Sequence, residues 1–203
     1  MARFILIRHG QTEWNQKERF RGWVDIDLDE TGIRQAEAAA PRIARWEVAA
    51  IYSSPLRRAM ATAEIIAHPL GIPVVPLEGI IDMNFGVWQG LSIDEVKQNY
   101  PALFKLWRYS PQILEIPQGD SLEDVRKRSA ATIDDLAARH KDATVVLVTH
   151  RVVCKVLLCH LLGLDNSHFW QIEQDTAAIN LFEMSEGNAT VTLLNDTCHL
   201  RAL

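Results

Sequence analysis

The sequence has little cysteine and no apolar run long enough for a membrane. Only three cysteines occur in 203 residues, and none belongs to a CxxC pair. A sparse, odd count is typical of a reduced cytosolic protein rather than of a disulfide scaffold. The longest apolar stretch, residues 152–164, is interrupted by Lys155 and His160 and is too short to span a bilayer. We therefore expect a cytoplasmic protein without a signal peptide and without a membrane partner.

Positive charge is also scarce, with 21 Lys and Arg against 26 Asp and Glu and a net charge of −5. This balance argues against nucleic acid or an anionic membrane surface as the main partner. Any anion-binding site must therefore be a local basic cluster on an acidic protein. Repeats, low-complexity tracts and Gly- or Pro-rich linkers are missing as well. We expect residues 1–203 to form a single domain.

Strand-like and helix-like segments alternate along the chain. The predicted strands are 4–7, 51–53, 73–76, 144–148, 179–184 and 190–194, the last two forming a hairpin around Glu186-Gly187-Asn188. Five helices are predicted. The first begins at Thr31 and should be kinked or broken at Pro41, and the second begins at Ser54-Pro55 with Pro55 in the first helical position. The others begin at residue 93 with a break near Pro101, after the capping residue Ser121, and at residue 152. This alternation predicts an α/β fold, a three-layer α/β/α sandwich with a mixed, mostly parallel sheet.

Two buried strands each deliver a histidine at their C-terminal end. Residues 4–7 run directly into Arg8-His9-Gly10, and residues 145–148 run into Thr149-His150-Arg151. Ligands of open α/β sheets bind at this edge. If the two strands are neighbours, the imidazoles face each other across one crevice. The helix after His150 would also point its N-terminal amides into that crevice, which suits an anion.

A basic pair follows a third strand in the same way, since residues 51–53 lead through a turn into Arg57-Arg58. Two histidines with Arg8 and Arg58 would form a pocket that matches phosphate oxygens, and a neutral imidazole can carry a phosphoryl group. Simpler interpretations remain open: a structural histidine, a solvated arginine pair, or a metal held by the two histidines. Against the metal, neither histidine has an Asp, Glu or Cys beside it in ligand spacing, and Arg8 would repel a cation.

Residues 8–15, RHGQTEWN, closely resemble the RHGxTxWN signature of the histidine phosphatase superfamily, also called phosphoglycerate mutase-like. Further segments resemble that family in the same order, namely residues 22–25, 53–59, 82–90, 119–121 and 148–150. The resemblance covers about residues 3–165 and implies the phosphoglycerate mutase-like fold.

The resemblance also implies roles. His9 would be the nucleophile that becomes phosphorylated, and Asp82 would be the acid that protonates the leaving alcohol and then activates water. The residues implied to hold the phosphate are Arg8, Thr12, Asn15, Arg58 and His150, and those implied to line the substrate side are Arg21 and Gly22. No metal and no other cofactor is implied.

This chain departs from the family pattern at three positions. Asp82 replaces the usual Glu and is one methylene shorter. The alternative is that Asp82 is only a turn residue, and Glu78 is then a weaker candidate for the acid. Asp120 also replaces a Glu, and there a helix cap is favoured over a substrate contact. Arg151 replaces the usual Gly at a helix N-terminus, where a cation is unfavourable. We expect it to bind a second anionic group of the substrate; the alternative is that it turns to solvent.

Similar mutases carry an Arg and a Tyr just after the acid, and residues 82–86, DMNFG, have neither. We therefore expect a phosphoric monoester hydrolase, a histidine acid-type phosphatase, that acts on a small-molecule phosphate ester. The alternatives are mutase-type phosphotransfer and a non-catalytic phospholigand-binding protein. Candidates for lining the substrate side are Phe20, Trp23, Met83, Phe85, Trp107 and Tyr109. For each of them taken singly, packing in the core is the favoured alternative. The sequence does not select a substrate, and the C-terminal hairpin is a candidate edge for a homodimer.

Overall fold

One mixed sheet of six strands forms the centre of the computed structural model, which describes residues 1–185, 187–201 and 203. The strands are β1 (Ala2–Arg8), β2 (Val48–Ser53), β3 (Val74–Pro76), β4 (Thr144–Thr149), β5 (Ile179–Ser185) and β6 (Asn188–Asp196). Their order is β3-β2-β4-β1-β5-β6; the first four are parallel, and β5 runs antiparallel to β1 and β6. The predicted mixed sheet is therefore confirmed. Glu186 of the predicted hairpin turn lies outside the described residues.

Helices cover both faces of this sheet. They are α1 (Glu13–Gln16), α2 (Glu30–Ile43), α3 (Arg57–Ala67), α4 (Ile93–Asn99), α5 (Pro101–Tyr109), α6 (Leu122–Arg139) and α7 (Arg151–Leu161). Successive side chains of a strand point to opposite faces. Phe4 and Leu6 of β1 accordingly pack in one apolar cluster with α6 and α7, while Ile5 and Ile7 pack in another with α2 and α3. The three-layer prediction is confirmed, and the all-apolar strands are explained by burial on both faces.

Two predictions about prolines were wrong. Pro41 does not split α2, because it lies in the last turn and the helix ends two residues later at Ile43. Pro55 is not the first helical residue, since α3 begins at Arg57 after an extended N-cap at Leu56. The physical reason is that the Ser54 N–H still donates to the Val148 carbonyl at 2.9 Å, so the chain follows the sheet before it turns.

The other local signals are confirmed. The segment 93–109 divides into α4 and α5 at Pro101, and the Ser121 hydroxyl accepts the Asp124 N–H at the start of α6. Cys154 and Cys159 are buried core residues of α7. Within the described part of the chain, no helix is both long enough and apolar enough to cross a bilayer.

Candidate active site

The two strand-end histidines meet at the carboxyl edge of the sheet. β1 and β4 are adjacent and pair Arg8 with Thr149, so His9 and His150 leave the sheet side by side. The His9 N–H donates to the Thr149 carbonyl at 2.8 Å. The two imidazole centroids lie 5.2 Å apart, and both side chains are fully buried. This register meets the condition under which the two imidazoles were expected to face one crevice.

His9 presents one ring nitrogen free of protein partners. Its Nδ1 lies 2.6 Å from the Gly10 carbonyl. A carbonyl can only accept, so Nδ1 carries the proton and Nε2 carries the lone pair. No described residue offers Nε2 a hydrogen-bond partner. Burial, and then the positive charge of Arg58, hold the pKa of His9 well below its ordinary value, which keeps the ring neutral.

His150 lies between a hydroxyl and a carboxylate. Its Nε2 is 2.7 Å from the Ser54 hydroxyl, and its Nδ1 is 3.6 Å from Asp82 Oδ2. Burial lowers the pKa of His150 well below its ordinary value, and the neighbouring Arg58 and His9 lower it further. Ser54 comes directly after β2, so three parallel strands supply this part of the site.

Two buried arginines complete the pocket. Arg8 donates to the Gln174 carbonyl at 2.6 Å, and Arg58 donates to the Gly22 carbonyl at 2.7 Å and to Asp82 Oδ2 at 3.0 Å. Burial and the nearby Arg151 lower the pKa of Arg8 to about 9, because its charge has little compensation. Burial also lowers the pKa of Arg58. An anion bound here would restore that compensation.

Asp82 is held by its backbone as well as by its side chain. Its Oδ1 accepts the Met83 N–H at 2.9 Å, while its carbonyl accepts the Trp23 indole N–H and the Arg128 guanidinium, both at 2.8 Å. The side chain is only 6% exposed. These contacts point the carboxylate towards Arg58 and His150, so the shorter acid does reach the pocket.

A cavity of about 260 Å³ opens beside these groups. The predicted site residues on its wall are Asn15, Arg21, Gly22, Asp82 and Arg151, and its aromatic wall comprises Trp14, Phe20, Phe85, Phe104, Trp107 and Trp170. Three of the six candidate lining residues do not lie on this wall. Met83 is fully buried in the core, Tyr109 is 79% exposed, and Trp23 turns its indole onto the Asp82 carbonyl.

The remaining predicted residues are placed as follows. The Thr12 hydroxyl is buried and donates to Asn15 Oδ1 at 2.9 Å, so these two side chains bond to each other. Arg21 has a buried Nε without a partner among the described residues, and burial lowers its pKa to about 10. Gly22 has a φ of +51°, and a Cβ there would lie 2.4 Å from Gln89 Oε1. The left-handed backbone and the close approach of Gln89 therefore favour glycine at this position, and the Gly22 carbonyl accepts Arg58.

Three candidates lie away from the chemistry. Arg57 turns outward and pairs with Asp27 at 3.1 Å. Glu78 is exposed and lies outside the cavity wall, so it is a poor substitute acid. The helix cap favoured for Asp120 was wrong, because Ser121 caps α6. The Asp120 carboxylate instead accepts the Asn84 N–H at 2.9 Å and holds the loop that carries Asp82.

Sequence reasoning missed Ser54, Gln174, Arg108 and Trp170. Ser54 lies within the matched segment 53–59, so a signal was available, although no role was assigned to it. The other three belong to no recognised motif, and only the fold brings them to the site. Among the described residues, no group of three or more His, Cys, Asp or Glu side chains is arranged to hold a metal ion.

Two histidines and two buried arginines at the carboxyl edge of a mixed α/β sheet form a buried, positively charged site whose chemistry suits a phosphoryl group. Its family follows from comparison with known proteins. The model of the histidine phosphatase superfamily (branch 1) matches residues 4–197, and the chain belongs to that family. The family prediction is therefore confirmed.

The chain is similar to the following three proteins. Phosphoserine phosphatase 1 of Hydrogenobacter thermophilus is 38% identical over 200 residues, 98% of this chain and 95% of the relative. The structure of YhfR from Bacillus stearothermophilus has a TM-score of 0.95 at 31% identity, covering 99% of this chain and 100% of the other. A mutant of the Entamoeba histolytica phosphoserine phosphatase, in complex with phosphoserine, has a TM-score of 0.89 at 31% identity, covering 98% and 100%.

These relatives support the expected phosphatase over the mutase. The narrower expectation of an acid-type histidine phosphatase is not supported, because the matching model describes branch 1, a differently named class.

Proposed function

We propose that this protein hydrolyses a small-molecule phosphomonoester by passing the phosphoryl group through Nε2 of His9, without a metal. The observation that carries the proposal is the hydrogen bond from His9 Nδ1 to the Gly10 carbonyl. It leaves the Nε2 lone pair free in a pocket that also contains Arg8, Arg58 and His150. A neutral imidazole among cations is a competent nucleophile towards phosphorus.

In the first step, the Nε2 lone pair attacks phosphorus and the bond from phosphorus to the leaving oxygen breaks. Asp82 acts as the general acid that gives a proton to that oxygen as it leaves, so the products are an alcohol, a phosphohistidine and an Asp82 carboxylate. Arg8, Arg58 and His150 hold the phosphate oxygens and stabilise their charge in the transition state.

In the second step, water attacks the phosphohistidine. The Asp82 carboxylate takes a proton from that water, the bond from phosphorus to nitrogen breaks, and inorganic phosphate leaves with His9 regenerated. The Ser54 hydroxyl at 2.7 Å orients His150 in both steps. Thr12 and Asn15 would add hydrogen bonds to the phosphate once a ligand separates their own pair.

Phosphoserine is the first substrate to test, because two of the relatives act on it or bind it. The cavity beside the pocket supplies space for the leaving group, with Arg21 and Gly22 on its wall. We also infer that residues 1–203 act as one domain. The homodimer and the cytoplasmic location remain predictions.

The decisive experiment is an assay with p-nitrophenyl phosphate and phosphoserine in EDTA. We expect turnover to survive the chelator, to disappear in His9→Ala, and to persist in the matched surface variant His168→Ala. Loss of turnover in EDTA would instead indicate a metal enzyme. A protein that binds phosphate but never releases product would support the non-catalytic alternative, and transfer of the phosphoryl group to a second alcohol would support the mutase.

A further inference from the structure

The cavity carries more positive charge than the phosphate pocket requires. Four arginines line it against two acids: Arg19, Arg21, Arg108 and Arg151 against Glu18 and Asp82. Two of these groups are already paired, since Arg19 lies 3.4 Å from a Glu95 oxygen and Asp82 binds Arg58. The surplus is notable in a protein with a net charge of −5. A bound anion reduces the repulsion between such neighbouring positive charges.

Two of the arginines share one aromatic platform. The guanidinium carbons of Arg108 and Arg151 lie 5.0 Å and 5.8 Å from the centre of the Trp170 ring. The ring is fixed in place, because its indole N–H donates to the Trp107 carbonyl. The Lys155 ammonium lies 4.8 Å from the same ring. Cation–π contacts at these distances orient the charged groups without neutralising them.

Carboxylates do not neutralise this pair. In the part of the chain that the structure describes, no carboxylate oxygen comes within 4.0 Å of a nitrogen of Arg108 or Arg151. Glu173 and Glu18 are near enough to act on the charge of Arg151. Glu173, however, pairs with Lys155 at 3.9 Å and is 78% exposed. Arg151 is half-buried, so its charge is only partly screened by water.

We infer that Arg151 and Arg108, oriented by Trp170, bind a second anionic group on the leaving part of the substrate. This inference rests on the proposed hydrolysis and narrows its substrate class to phosphomonoesters whose leaving group has a carboxylate or a second phosphate. Arginine is suited to both, because its planar donors match either group in a bidentate manner. Trp170 acts as a positioning residue for the two arginines.

The test compares matched substrates that differ in the second anion. Phosphoserine against phosphoethanolamine isolates a carboxylate, and fructose 1,6-bisphosphate against fructose 6-phosphate isolates a second phosphate. We expect wild type to favour the more anionic member of one pair, which identifies the anion. Arg151→Gln should lower kcat/KM for that member by about tenfold and for its partner by less than about twofold, mainly through KM. Arg108→Gln should lower kcat/KM with the same preference for the more anionic member but by a smaller factor. Arg34→Gln, at an exposed position, should leave kcat/KM unchanged.

Binding separates this inference from the proposed chemistry. Dissociation constants for the same pairs, measured by calorimetry in the His9→Ala background, report the charge preference without turnover. If the wild type is inactive but still binds the more anionic member through Arg151, the proposed hydrolysis is overturned and this inference is supported. An active enzyme without preference in either pair, or an Arg151→Gln variant that weakens both members equally, would overturn this inference.

Discussion

The buried histidine pair predicts that the protein loses stability as the pH falls below neutrality. His9 and His150 are both fully buried, and burial with Arg58 nearby keeps the folded-state pKa of each well below its ordinary value. In the unfolded chain both titrate with a pKa near the ordinary value of 6.5. Below that pH the unfolded state therefore binds more protons than the folded state. Linkage then requires stability to be present above pH 6.5 and to be lost as the pH falls.

The size of this stability loss follows from the difference between the unfolded and folded pKa of each histidine. Between pH 7.5 and pH 5.5, a histidine with an unfolded pKa of about 6.5 and a far lower folded pKa loses about 1–2 kcal/mol of stability. The two imidazoles together contribute about 3 kcal/mol. Carboxyl groups change little in this window, because their ordinary pKa values lie near 4.

Urea denaturation at the two pH values measures this loss, and substitution isolates its source. His9→Gln should lose about 1–2 kcal/mol less stability than wild type over the same interval, and the double variant with His150→Gln about 3 kcal/mol less. Other histidines, such as the half-buried His199, contribute equally to all three proteins and cancel in the difference. Identical pH dependence in wild type and the double variant would refute the reasoning.

Three further predictions concern the supports of the site. Asp82→Asn should lower kcat far more on an alkyl phosphate than on p-nitrophenyl phosphate, whose leaving group needs no proton; equal losses would contradict the assigned acid. Arg128→Gln removes the bonds at 2.8 Å to the Ile81 and Asp82 carbonyls and should give the same leaving-group pattern more weakly, with unchanged phosphate binding as its control. Gly10→Ala would place a Cβ 2.5 Å from the Gly32 carbonyl oxygen and should cost about 1–3 kcal/mol in urea denaturation; an unchanged denaturation midpoint would contradict this close approach.

Much of the fold is readable from the sequence, because short-range patterns encode it. Four consecutive apolar residues before Arg8 favour a strand buried on both faces, and residues 4–7 divide between the two cores as that prediction requires. The strand-end position of both histidines then predicts one shared crevice, which the pairing of β1 with β4 confirms. The prolines were less informative, since the effect of Pro41 depends on where α2 ends.

The sequence by itself therefore determined the family, the sheet and the nucleophile candidate, all of which depend on contiguous residues. Only the tertiary structure decided how the acid and the second half of the cavity are built. Asp82 is aimed by Trp23 and Arg128, which are 59 and 46 residues away along the chain. Trp170 reaches the cavity from a segment without any motif. Such contacts join distant segments, and no local pattern of charge or hydrophobicity records which of them will meet once the layers pack.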